Sequence, residues 1–188
     1  LPYINQPEQS KLALKQIFWG RVQIYHTYAL LNYQKGNQAQ KLLHQIKYNS
    51  KTKLAVHFGE LLGEIINRSE EYAYLLPIPL HKKKQQIRGY NQSTMIANGM
   101  SKATNIPILE NVIKRNEYNK SQTNYSKYDR WGNVKNIFSV VKPKLLENKH
   151  VILIDDVLTT GATIEACVKE LIKVKNCRVS IATLAARI

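Results

Sequence analysis

Two cysteines are all that the 188 residues contain. Cys167 and Cys177 both sit in apolar-periodic surroundings, and neither has a second Cys or a His at metal-ligand spacing, so neither a disulfide framework nor zinc is expected from this chain. They read as buried free thiols of a reducing compartment. No apolar run approaches the ~20 residues that a membrane span needs, and no basic segment with an apolar core and a small-residue cleavage site opens the chain. The expectation is a soluble, cytoplasmic protein. Neither G-x-G-x-x-G nor G-x-x-x-x-G-K-[ST] occurs, which argues against a dinucleotide-binding fold and a P-loop. The first residue is Leu1 rather than Met, so the sequence reads as part of something longer.

Acids are also scarce: 13 Asp and Glu stand against 28 Lys and Arg, a net charge of +15. The imbalance is concentrated, with 14 Lys or Arg and four acids between His81 and Lys149. Such a field attracts polyanions, either nucleic acid or a substrate carrying a phosphate and a pyrophosphate.

Periodicity predicts strands alternating with helices. Residues 2–10 are polar with two prolines and read as an extended lead-in. A short helix follows around 11–19, then one or two strands within 22–33. Helices at 36–49 and 53–67 show Leu42, Leu43, Ile46, Phe58, Leu61 and Leu62 at helical spacing. A strand around 72–80 ends in proline, a helix covers 91–104, and a short strand is expected at 106–113. Residues 115–136 form a long polar stretch, which in a compact domain is functional or disordered. Strands at 137–141 and 150–154, a helix at 162–174 and a strand at 178–186 complete the chain. The pattern is α/β, with a mainly parallel sheet flanked by helices. Residues 1–35 are expected to supply a lead-in with hood or edge strands, and 36–188 the main domain.

The most specific string is VILIDDVLTTGAT, residues 151–163. VILI suits a strand covered on both faces, which places Asp155 and Asp156 at the carboxyl edge of the sheet, where ligands of open α/β folds bind. Two adjacent carboxylates can accept hydrogen bonds from two adjacent hydroxyls, as on a ribose. Thr159, Thr160, Gly161, Ala162 and Thr163 then lead into a helix. Backbone N–H groups, hydroxyls and the positive helix end converge there, as a dianionic phosphate requires. Gly161 would let the backbone approach the phosphate, and Ala162 would keep the concavity open.

This string resembles the phosphoribosyl pyrophosphate (PRPP) signature of type I phosphoribosyltransferases. A second block, Pro77-Ile78-Pro79-Leu80, a basic turn of His81, Lys82, Lys83 and Lys84, then Arg88-Gly89-Tyr90-Asn91-Gln92, resembles that of the ComF (GntX-like) branch, related to amidophosphoribosyltransferase-like domains. Residues His44, Lys47 and Tyr48, and later Arg115, Gln122, Thr123, Arg130, Asn133 and Phe138, fit the same pattern.

The resemblance implies the type I fold with a small N-terminal hood. It also implies PRPP or ribose 5-phosphate as ligand, and Mg²⁺ bound mainly through PRPP. Asp155 and Asp156 would hold the ribose hydroxyls, 159–163 the 5-phosphate, and the basic turn the pyrophosphate. Arg88 would assist the departing charge. Residues 115–136, with Arg115, Gln122, Thr123, Arg130 and Trp131, would act as a flexible lid or contact nucleic acid. Members of the branch imply a role in DNA uptake during transformation, so single-stranded DNA is a second possible partner. Many carry an N-terminal module of two Cys pairs that this sequence lacks. His44, beside apolar neighbours, is expected to be packed or hydrogen-bonded rather than catalytic.

Overall fold

The computed structural model of the chain describes residues 1–4, 8–48, 51–116 and 137–187. Four strands, β1 (Thr27–Asn32), β2 (Tyr74–Pro77), β5 (His150–Leu158) and β6 (Arg178–Ala186), form one sheet in the order β1-β6-β5-β2. Every pairing in it is parallel. The expected α/β class is therefore what the chain adopts. β3 (Ile113–Arg115) and β4 (Phe138–Val140) make a separate antiparallel pair.

VILI is buried throughout because both faces of β5 are covered, and its alternation divides the core in two. Val151 and Leu153 join Leu14, Phe18, Ile164, Cys167 and Val168 on one face. Ile152 and Ile154 join Leu42, Phe58, Leu62, Ile96 and Met100 on the other. The first face is closed by α1 (Glu8–Gln16) and α6 (Ala162–Leu171), the second by α2 (Gln38–Tyr48), α3 (Thr52–Glu64) and α5 (Gln92–Thr104). Cys167 and Cys177 are free and buried, and burial raises both thiol pKa values, which leaves them protonated and unreactive.

Helices α3 and α5 pack unusually close. A Cβ on Gly59 would strike the Ile96 carbonyl, and one on Gly99 the Val56 carbonyl, so glycine is what lets the two backbones meet. This contact sets the position of α5, whose amino end reaches the carboxyl edge of the sheet.

Several elements differ from expectation: β5 runs on to Leu158 rather than stopping at Ile154, and α6 ends at Leu171 rather than at 174. Residues 8–10 belong to α1 rather than to an extended lead-in. Of the strand expected at 106–113, only a bridge from Ile108 to Leu75 forms, and regular pairing begins at Ile113. The apolar residues there pack against the core without a full ladder. The basic turn is a helix, α4 (Lys82–Arg88). His81 Nδ1 accepts from the Lys83 amide at 3.2 Å, and Gly89 closes the other end at φ 75°. A cap at each end turns a polar stretch of good helix formers into a short helix.

Candidate functional site

The last pair between β2 and β5 is Pro77 with Ile154, whereas β5 stays paired with β6 as far as Leu158. Asp155 and Asp156 thus lie on a strand that outruns its neighbour, which opens the carboxyl edge beside them. Leu158 is followed by the exposed Thr159 and Thr160, by Gly161 at φ 77°, and by the first residue of α6.

No side chain of Gly161 caps α6, and the nearest substitute is Thr160 Oγ1, 3.5 Å from the Ala162 amide. Thr163 is exposed on the first turn. An uncapped helix amino end flanked by three threonines is a competent anion site. Gly161 is also required by packing. Its Cβ direction points at Phe18, whose ring carbon would lie 2.8 Å from an added methyl, so the residue satisfies a left-handed turn and an N-terminal packing contact.

The two acids are held differently. Asp155 Oδ1 accepts from the Asp156 amide at 2.9 Å and from Ser93 Oγ at 3.3 Å. Burial, then the adjacent charge of Asp156, raises its pKa above the usual carboxylate range, with Lys47 and the two hydrogen bonds acting against the shift. Asp156 is 8% exposed and meets Lys47 Nζ at 2.9 Å. Ser93 was not singled out from sequence, and Lys47 entered only as part of the family pattern, with no role assigned to it. Lys47 is one of many lysines and ends an amphipathic helix; Ser93 has no signal of its own beyond its place after Asn91-Gln92.

Asn91 of the RGYNQ block has an architectural part. Asn91 Nδ2 donates to the Ile78 carbonyl at 2.9 Å and Asn91 Oδ1 accepts from the Ser93 amide at 3.2 Å, which ties the amino end of α5 to the end of β2. Arg88 lies 5.2 Å from the ring of Tyr48, next to Lys47 on α2. His44, expected to be packed or hydrogen-bonded, is exposed, and its ring lies 4.7 Å from that of Tyr48. It falls on the solvent side of α2, opposite Leu43 and Ile46.

Lys82, Lys83 and Lys84 are exposed on α4, which buries none of its residues. Arg115 belongs to β3, where its guanidinium covers the Phe138 ring at 5.3 Å, so the polar stretch begins one residue later than expected. Gln122, Thr123, Arg130 and Trp131 lie outside the described residues. Among the described residues no group of three or more His, Cys, Asp or Glu is placed to hold a metal ion, and no helix is long and apolar enough to cross a membrane.

Residues 91–188 match the phosphoribosyl transferase domain family. The chain belongs to that family. Over 100 residues it is 38% identical to competence protein F of Haemophilus influenzae, covering 53% of this chain and 44% of that protein. Over 138 residues it is 33% identical to competence protein ComFC of Streptococcus pneumoniae, covering 73% and 58%. The chain thus spans about half the length of the curated relatives it matches. The solved structure of glutamine PRPP amidotransferase from B. subtilis, complexed with ADP and GMP, shares the fold with a TM-score of 0.53 at 21% identity, over 74% of this chain and 30% of that one. The type I fold and the ComF branch expected from the motifs are both shown by these matches.

Proposed function

We propose that this phosphoribosyl transferase domain binds PRPP and transfers its ribose 5-phosphate to an acceptor whose identity the site does not specify. The observation that carries the reading is the adjacency of a carboxylate pair, the half-buried Asp155 and the buried Asp156, to the uncapped amino end of α6. Asp155 and Asp156 accept from the ribose hydroxyls. Thr159, Thr160, Thr163 and the amides from Gly161 to Thr163 hold the 5-phosphate. Arg88 and the lysines of α4 face the departing pyrophosphate, where positioned cations stabilise the charge that develops as the C1–O bond lengthens.

The donor set fits Mg²⁺ carried in on the ligand. Asp155 and Asp156 are hard oxygen donors whose mutual repulsion a cation relieves, and such an ion needs few protein ligands because phosphate oxygens and water supply the rest. When bound, it neutralises the pyrophosphate.

Incubation with PRPP, Mg²⁺ and a panel of bases and amines tests transfer. Release of pyrophosphate that disappears in the Asp155→Asn/Asp156→Asn variant supports it. PRPP binding without release by any member of the panel leaves a binding role.

A second reading has its own support. The relatives are named as competence proteins, and α4 presents Lys82, Lys83, Lys84 and Arg88 on an exposed surface of a +15 chain. In this reading the basic face grips single-stranded DNA during transformation. Affinity for an oligonucleotide must then fall steeply with added salt, because bound cations are released into solution on binding.

A further inference from the structure

The amino end of α6 carries its own competitor for a phosphate. Glu165 sits in the first turn of the helix, where its carboxylate is attracted to the same partial positive charge that a dianion would use and would repel that dianion. Both of its oxygens are drawn elsewhere. Arg21 Nη1 donates to Oε2 at 2.9 Å, and Lys169 Nζ lies 2.7 Å from Oε1. Arg21 comes from a part of the chain 144 residues away. Its other nitrogen, Nη2, donates to the Thr160 carbonyl at 3.1 Å and to the Ile17 carbonyl. Its guanidinium also lies 5.8 Å from the ring of Phe18, the same ring that fills the space behind Gly161. The turn after α1 therefore forms a back wall to the loop, and Arg21 is the cation set into it.

We infer that Arg21 is a positioning residue for the phosphate site: by holding Glu165 and the Thr160 carbonyl together, it withdraws the acid from the helix end and leaves that end to the ligand. This rests on the phosphate-site reading above. Both terminal nitrogens of Arg21 are already engaged by the protein, so it acts through Glu165 and the loop rather than as a direct phosphate ligand. Lys169 is 55% exposed and holds Glu165 from within its own helix, four residues on. Among the described residues, Arg21 is the side chain that connects the acid to the loop.

Ribose 5-phosphate is titrated into the unmodified protein and into Arg21→Gln, Arg21→Lys, Glu165→Gln and the double variant Arg21→Gln/Glu165→Gln. Urea unfolding of each variant runs in parallel to confirm that it is folded. Arg21→Gln is expected to weaken binding by about tenfold, the size of a nearby helix-end charge effect in a partly buried setting. Arg21→Lys should recover most of that loss, and Glu165→Gln alone should bind at least as tightly as the unmodified protein.

The decisive comparison is the double variant. With Glu165 neutral, the Arg21→Gln loss should shrink to about threefold or less, since no acid remains to be withdrawn. An undiminished loss in the Glu165→Gln background, or no loss in Arg21→Gln, overturns the inference while leaving the phosphate site standing. If the unmodified protein binds neither ribose 5-phosphate nor PRPP, the phosphate-site reading falls and takes the inference with it.

Discussion

Lys47 Nζ lies 2.9 Å from Asp156 Oδ2, with 23% and 12% of the two side chains exposed. This pair joins the last turn of α2 to the end of β5, and among the described residues Asp155, beside it in the chain, has no salt bridge of its own. Removing the lysine leaves two adjacent carboxylates poorly compensated at a sheet edge. Lys47→Met should destabilise the fold by about 1–2 kcal/mol, less than the loss for a fully buried pair because solvent reaches both groups. A urea-unfolding cycle with Asp156→Asn checks it, and the two losses should combine to less than their sum.

Asp155 carries the opposite sign. Its folded-state pKa is raised by burial and by Asp156, so the folded protein holds this proton more tightly than the unfolded chain does. The ionised form therefore costs stability above the folded pKa, and that cost disappears as pH falls toward the ordinary carboxylate value. Asp155→Asn keeps an oxygen for the Asp156 amide and for Ser93 Oγ but carries no charge. It should be more stable than the unmodified protein at pH 8, on the order of 1–2 kcal/mol, with the advantage shrinking on acidification. Denaturant midpoints at a series of pH values decide the matter. A protein that gains stability on losing a site residue is one whose site is strained for function.

At the opposite end of the sheet, His150 lines a cavity of about 650 Å³. Its ring is fully buried, 2.8 Å from Ser180 Oγ and flanked by Tyr25 and Tyr72. Burial, followed by the charge of Arg178, lowers its pKa to about 4, against the pull of Glu70. The unfolded chain therefore takes up this proton first, and His150 contributes a loss of stability as pH falls from the unfolded value of 6.5 toward 4. An NMR titration should show one imidazole still neutral at pH 5, and His150→Phe should flatten the pH dependence of stability in that window. A midpoint near 6.5 would contradict this.

Gly99 is needed for the approach of α5 to α3. Gly99→Ala should cost about 1–3 kcal/mol by overpacking, in spite of the better helix propensity of alanine. Thermal unfolding measures it, and an increase in stability would show that the two backbones are farther apart than described.

Much of this was legible in the sequence because it is written in local pattern. VILI announces a strand covered on both faces, and the acids followed by TTGAT announce a strand, turn and helix. What stayed hidden depends on contacts between distant segments. Lys47 reaches Asp156 across 109 positions only because α2 packs on the same face as Ile154, and QIKYN, which fits the family pattern, says nothing of that partner. Arg21 and Phe18 lie behind the loop for the same kind of reason. Conversely, Lys82, Lys83 and Lys84 look like a phosphate-gripping turn in sequence, yet caps at His81 and Gly89 wind them into a helix with no buried residue. At Gly161 the left-handed turn was foreseeable and the Phe18 ring behind it was not.

The most direct test of the account is a calorimetric titration of PRPP with Mg²⁺ into the unmodified protein and into Asp155→Asn/Asp156→Asn. Saturable binding at one site per chain is expected, weakened by about tenfold or more when both carboxylates are lost, as for hydrogen bonds to charged acceptors. Absence of binding, or equal affinity in the two proteins, would contradict it.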